Sequence, residues 1–260
     1  MFDKVNIHIK NKTLCGAVMN RVLNSEVKKW LLKLPLPYIV EKKFIPTDYF
    51  RVLINPKLIE YVVQNIYKEF VDNPYSFVLE GDWDLYKGYL RGNTLENDRR
   101  VIYASMNQIF VEGIHFKECD QYYWMKERIL ERGHSYWCTS EDDLDKYFEN
   151  LIKTYEGIKN EGYLSQEELA QKNPELIDKR RISKLDDEIK VYIDRTGNFL
   201  LGGGGTHRLL IADLCEIKEI PAIIAGVHKS WLDEVHRKHK SGAVSSIKKE
   251  LNAKPSYHMS

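Results

Sequence analysis

Residues Asp187–Trp231, DEIKVYIDRTGNFLLGGGGTHRLLIADLCEIKEIPAIIAGVHKSW, decide the fold. Ile189, Val191 and Ile193 alternate with polar residues, the period of a half-buried strand. Asp194 to Asn198 reads as a turn, and Phe199-Leu200-Leu201 as a second short strand. Gly202 to Gly205 follow, and Thr206-His207-Arg208 then opens an apolar run with helical character. Pro221 to Ala225 is a third strand.

The chemistry this order suggests is anion binding. Consecutive glycines let the backbone turn tightly and present N–H groups with no side chain in the way. The first turn of the following helix adds further N–H groups and the positive end of its dipole. His207 and Arg208 supply side-chain donors at the same point, and a guanidinium can grip a phosphate with two parallel bonds. Gly203, Gly204, Gly205, Thr206, His207 and Arg208 are therefore the candidate phosphate-binding residues. The motif is neither a Walker loop, since no G-K-[ST] follows, nor the dinucleotide fingerprint, since its third glycine is missing. The competing reading is a glycine-rich hairpin end with Thr206 capping the helix.

Strand, turn, strand, G-G-T-H-R, helix and Ile-Pro strand, in that order, resemble the ParB/sulfiredoxin superfamily, whose G-x-H-R-type turn holds nucleotide phosphates. Gly205, His207 and Arg208 match that turn. The helix and loop from Tyr155 through Gly162 to Gln166 are similar to the segment before the superfamily's first strand, so the resemblance covers roughly residues 138–231. It implies an α/β (α+β) fold with a nucleotide-binding domain at 136–240. A mostly helical N-terminal region at 1–135 and a tail at 241–260 would flank that domain. Departures narrow the function. Sulfiredoxins carry cysteine where this chain has Thr206, which argues against reductase chemistry. Free-serine kinases of this fold carry Asp where this chain has Gly204. Chromosome-partitioning members continue into a helix-turn-helix, for which residues 232–260 are too few.

Composition sets the outer limits. The chain has 260 residues, 43% of them hydrophobic and 12% aromatic, enough for a real core. Its 39 basic and 38 acidic residues nearly balance, which argues against a nucleic-acid partner without removing a local basic patch. Cys15, Cys119, Cys138 and Cys215 are widely spaced, as free thiols in a reducing compartment are. No signal peptide and no long apolar run is evident, so a soluble cytoplasmic protein with no membrane span is expected.

Upstream, Val5–Ile9 alternates like a strand, and Asn55-Pro56 looks like the start of a helix running through Leu58, Ile59, Val62, Val63, Ile66 and Phe70. Gly81-Asp82-Trp83-Asp84 is a compact acidic turn. Asp82 and Asp84 are candidates for holding Mg²⁺ or taking a proton from a hydroxyl; the alternative is an Asx turn with Trp83 anchored in the core. The tetrapeptide is also similar to uncharacterised ParB-like proteins found among polysaccharide-building genes. Asp98–Glu112 and Glu118–Arg132 read as helices ending at Gly113 and Gly133. Ser140 caps the longest helix, which Gly162 ends. Glu141, just inside that start, is the nearest match in position to the catalytic glutamate of kinases of this fold, or else a first-turn acid favouring the helix dipole. Asn173–Asp187 reads as a charged loop. His228, His236 and His239 lie among Arg237, Lys238 and Lys240 and suggest a basic patch rather than a metal cluster. Ser241–Ser260 reads as a short helix and a frayed end.

The function expected from sequence is a nucleotide-dependent phosphotransferase acting on a small hydroxylated metabolite or sugar, with ATP or another nucleotide and Mg²⁺. Gly203 to Arg208 would cradle phosphates, and Asp82, Asp84 or Glu141 would serve the metal or the proton. The alternatives are a non-catalytic nucleotide-dependent switch binding a partner or nucleic acid, and a ParB-like nuclease.

Overall fold

The computed structural model describes residues 25–34, 36–41, 45–46, 49–63, 76–91, 98–172, 188–202, 204–253 and 257–259. The expected strand Val5–Ile9, the Asn173–Asp187 loop and Gly203 lie outside these residues. Helices α1 (Ser25–Leu31) and α2 (Tyr38–Glu41) precede strands β1 (Phe50–Ile54), β2 (Tyr61–Val63), β3 (Val78–Leu79) and β4 (Lys87–Tyr89). Helices α3 (Asp98–Phe110), α4 (Asp120–Arg132), α5 (Glu141–Glu161) and α6 (Gln166–Lys172) follow. Next come β5 (Ile189–Ile193), β6 (Phe199–Leu201), α7 (Thr206–Leu214) and β7 (Ile220–His228). Last are α8 (Lys229–His239), α9 (Ala243–Asn252) and β8 (Tyr257–Met259).

The fold is α/β with one mixed sheet in the order β4-β2-β6-β5-β7-β1-β8, while β3 pairs with the far end of β7. β5 and β6 form the antiparallel hairpin that the alternation predicts, and β7 lies parallel to β5. The register sets the faces. Phe50, Val52 and Ile54 of β1 stand opposite Ile224, Ala222 and Ile220, and Ile189 and Val191 share that side. These residues are all buried in the main core beside Leu209, Leu210 and Ile211 of α7 and Leu144 and Phe148 of α5. The opposite face carries a smaller core of Val63, Leu79, Trp83 and Leu200, with Tyr61 and Tyr192 against it.

Several expectations are corrected. Asn55 does cap, its Oδ1 accepting from Lys57 N at 2.9 Å, but only a 3-10 turn over Pro56–Leu58 follows. Tyr61–Val63 is then a strand between β4 and β6, because β-branched residues beside a tyrosine suit a pleated ladder. The expected frayed end holds β8, which pairs with β1 from Val52–Met259 to Ile54–Tyr257. The first 135 residues contribute four strands, β1 to β4, to the sheet.

Local capping was legible. Ser140 accepts from Asp143 N at 3.2 Å, while the Asp143 carboxylate takes Thr139 N at 3.0 Å. Ser165 and Glu168 make a reciprocal box ahead of α6, each side chain accepting the other's backbone N–H. Among the described residues no helix is long and apolar enough to cross a membrane.

Candidate functional site

The glycine turn is built for close approach. Gly204 and Gly205 have φ of +84° and +74°, where L side chains are strained. A Cβ on Gly205 would also lie 2.9 Å from Ile189 Cγ1, so β5 leaves room for no side chain there. Gly205, not Thr206, is the N-cap of α7, and no side-chain cap bond is made. This corrects the expectation that Thr206 caps the helix: it is the first helical residue and is buried. A glycine cap leaves the positive end of the α7 dipole uncompensated by any capping side chain.

His207 and Arg208 point apart, because neighbours on a helix differ by about 100° in direction. His207 Nε2 lies 2.9 Å from the Tyr147 hydroxyl and 3.3 Å from Gln121 Nε2. Gln121 is fully buried and donates to the Tyr147 oxygen at 3.1 Å. The consistent polarity has Tyr147 donating to His207 Nε2, which places the imidazole proton on Nδ1. Burial and the nearby Tyr136 raise the Tyr147 hydroxyl above its ordinary range, against the lowering effect of Gln121, so it remains a donor. Arg208 turns back to α5's exit. Its Nη2 donates to Leu164 O at 2.7 Å, its guanidinium lies 4.6 Å from the Tyr163 ring centroid, and Nη1 faces Glu188 at 3.5 Å. The expected joint grip of His207 and Arg208 on one phosphate is therefore not preassembled.

The Gly81–Asp84 turn is a latch. Arg195 Nε donates to Asp84 Oδ2 at 2.9 Å, Nη2 donates to Asp84 Oδ1 at 2.7 Å, and the Arg195 backbone N–H adds a bond at 2.9 Å. Nη2 also meets Asp82 Oδ1 at 2.7 Å. His228 closes the far side. Its Nδ1 accepts from Ser230 N at 3.0 Å, so Nε2 carries the proton and donates to Gly81 O at 2.9 Å. Burial alone would raise the Asp84 carboxyl; the Arg195 donors outweigh it and hold it below its ordinary value. Arg195 sits in the β5–β6 turn, whereas the glycine run leaves β6 at the hairpin's other end, so the two sites are separated by the hairpin's length. Asp82 and Asp84 thus do not face the glycine turn, and the guanidinium fills the place where they would hold Mg²⁺.

Glu141 stands at the start of α5 and accepts from Lys126 Nζ at 2.6 Å, with both side chains largely exposed. His236 Nδ1 contacts Ser241 O at 2.6 Å and its ring stacks on Tyr38; His239 pairs with Glu250 at 2.8 Å. The expected basic patch is thus tied into the α8–α9 packing. Among the described residues no group of three His, Cys, Asp or Glu could hold a metal ion. A cleft of about 430 Å³ opens beside α6, lined by Arg51, Tyr163, Glu167, Glu188 and Glu219 among others. Carboxylates outnumber its one arginine, a poor match for phosphate.

Sequence reading missed Arg195, Gln121 and Tyr147, all of which act across long separations. Searches of protein-family models, curated proteins and solved structures found no match to this chain.

Proposed function

We propose that this protein binds a nucleotide through its phosphates at the Gly204–Thr206 turn and acts as a nucleotide-dependent phosphotransferase on a small hydroxylated acceptor. The observation that supports this most is Gly205, a helix N-cap in the left-handed region that is pressed against Ile189 and offers only backbone to a ligand. The resemblance of the G-G-T-H-R order to the ParB/sulfiredoxin superfamily supports the same reading. Of the three carboxylates expected from sequence, Glu141 is the one on a helix that touches the site. It precedes Tyr147 on α5 by about 9 Å along the axis, and Tyr147 bonds His207. Six positions also turn Glu141 about 120° from Tyr147 around the helix, so the role of hydroxyl-proton acceptor proposed for it requires that Lys126 release it and that its side chain swing toward the turn. The turn's glycines fit a phosphate chain; Asp82 and Asp84 do not fit a metal, so the reading routes no step through one.

A second reading, a nucleotide-dependent switch without catalysis, is favoured by one fact: Asp84 and Glu141 are both already engaged by cations.

Calorimetry with ATP, ADP and CTP tests binding, comparing Gly204→Asn with Gly204→Asp. A Cβ on Gly204 meets nothing within 4 Å, and both residues tolerate positive φ, so the pair differs mainly in charge. Gly204→Asn is expected to bind and Gly204→Asp to lose binding at least tenfold. Equal affinities would remove the turn from the phosphate site. Nucleotide turnover against a panel of polyols, sugars and amino acids then separates the readings; turnover unchanged in Glu141→Gln overturns the role given to Glu141.

A further inference from the structure

Tyr136 and Trp137 form a two-residue turn closed by paired backbone bonds, Ser135 N to Cys138 O and Cys138 N to Ser135 O, both 3.0 Å. Such turns favour Gly, Asn and Asp. Here the tip carries two large aromatic rings, 47% and 58% exposed, and Tyr136 adopts φ of +52°. Neither the exposure nor the backbone conformation stabilises the fold. A non-glycine residue at positive φ is strained, and such strain gathers at binding sites.

The rings are linked to the glycine turn through Tyr147. Tyr136 lies parallel to Tyr147 with centroids 6.2 Å apart, and Trp137 meets Tyr147 at 6.1 Å. Tyr147 in turn bonds His207, the second residue of α7. Trp124 adds a fourth ring 6.1 Å from Tyr136, and the Arg128 guanidinium lies 4.5 Å from the Trp124 centroid. At the inner end, Gln121 is 0% exposed and its Oε1 makes no hydrogen bond, while its amide nitrogen touches His207. An exposed aromatic shelf, a nearby cation, a buried acceptor and a helix N-terminus are the parts that a flat heteroaromatic ring joined to phosphates requires.

We infer that the Tyr136–Trp137 turn is the shelf on which the base of the nucleotide stacks. This rests on the phosphate reading above. Stacking recognises any base face, so the shelf supplies affinity for a nucleobase without choosing strongly among bases.

The test uses calorimetry with ATP and with inorganic tripolyphosphate on the full chain and on Trp137→Ala, Trp137→Phe and Tyr136→Asn, asparagine being chosen because it accepts positive φ. ATP affinity should fall about 5- to 150-fold in Trp137→Ala and Tyr136→Asn and be largely retained in Trp137→Phe, the range expected for one lost stacking platform. Tripolyphosphate affinity should be the same in all four proteins. Unchanged ATP affinity overturns the shelf and leaves the phosphate site standing. A parallel loss of tripolyphosphate binding overturns it too, by showing a structural role. If ATP binds through the rings but tripolyphosphate does not bind at all, the phosphate reading fails and the shelf survives. Binding of neither ligand to the wild type overturns both.

Discussion

Arg195 clasps Asp84 across the molecule, with side-chain bonds of 2.7 and 2.9 Å and a backbone bond of 2.9 Å to a carboxylate whose side chain is only 2% exposed. A buried carboxylate held this way is costly to unpair from one side. Arg195→Ala, which leaves that carboxylate unpaired, should lower stability by about 3 kcal/mol, while Asp82→Ala, at the exposed end of the same guanidinium, should change it by about 0–1 kcal/mol. Denaturant unfolding checks both. Equal losses in the two variants would contradict the latch.

Asp84 and Asp194 should together shape the acid limb of the stability curve. In both, burial pushes the carboxyl up and hydrogen bonding more than reverses it: Arg195 acts on Asp84, and the Asn198 backbone, Lys87 and Thr196 act on Asp194. A depressed folded pKa contributes stability that is present above the ordinary value of 3.8 and is lost as pH falls through the folded value. Stability should therefore fall from about pH 4 downward, and Asp84→Asn should flatten that fall. Melting curves across the acid range provide the measurement.

Adjacent glycines should differ sharply. Gly205→Ala adds a contact of 2.9 Å with Ile189 to a φ of +74°, whereas Gly204→Ala meets nothing within 4 Å. The expected costs are above about 2 kcal/mol and about 1 kcal/mol respectively. A smaller loss for Gly205→Ala than for Gly204→Ala would show that β5 does not press on the turn.

Removing residues 254–260 should destabilise the protein, because β8 covers the outer edge of β1. A loss of at least about 1 kcal/mol, or about 2–4 °C in melting temperature, is expected. No change on truncation would mean that β8 adds nothing to the sheet.

What the sequence disclosed was local. The alternation of Ile189, Val191 and Ile193, the Ser140 cap, and the glycines after α4 and α5 each act within a few residues, and each appears where the pattern puts it. Tyr61–Val63 was misread because a short apolar run fits both helical and strand periods, and only its partners β4 and β6 decide. Arg195 read as a turn residue because its carboxylate partner is 111 positions away. The aromatic shelf was invisible for the same reason: nothing near Tyr136 in sequence announces that Tyr147 carries it to His207 on α7.

β1 has a kinetic consequence. Its two neighbours in the sheet are residues 220–224 on one side and 257–259 on the other, so no nearby segment can satisfy its backbone groups. Closing such distant pairs requires a large loss of chain entropy before any contact compensates for it, which slows folding. Until both neighbours arrive, β1 is a strand with two open edges and a bare apolar face of Phe50, Val52 and Ile54. The refolding chain is therefore most vulnerable to sticking to other copies of itself at β1, whose Phe50, Val52 and Ile54 lie buried in the finished sheet.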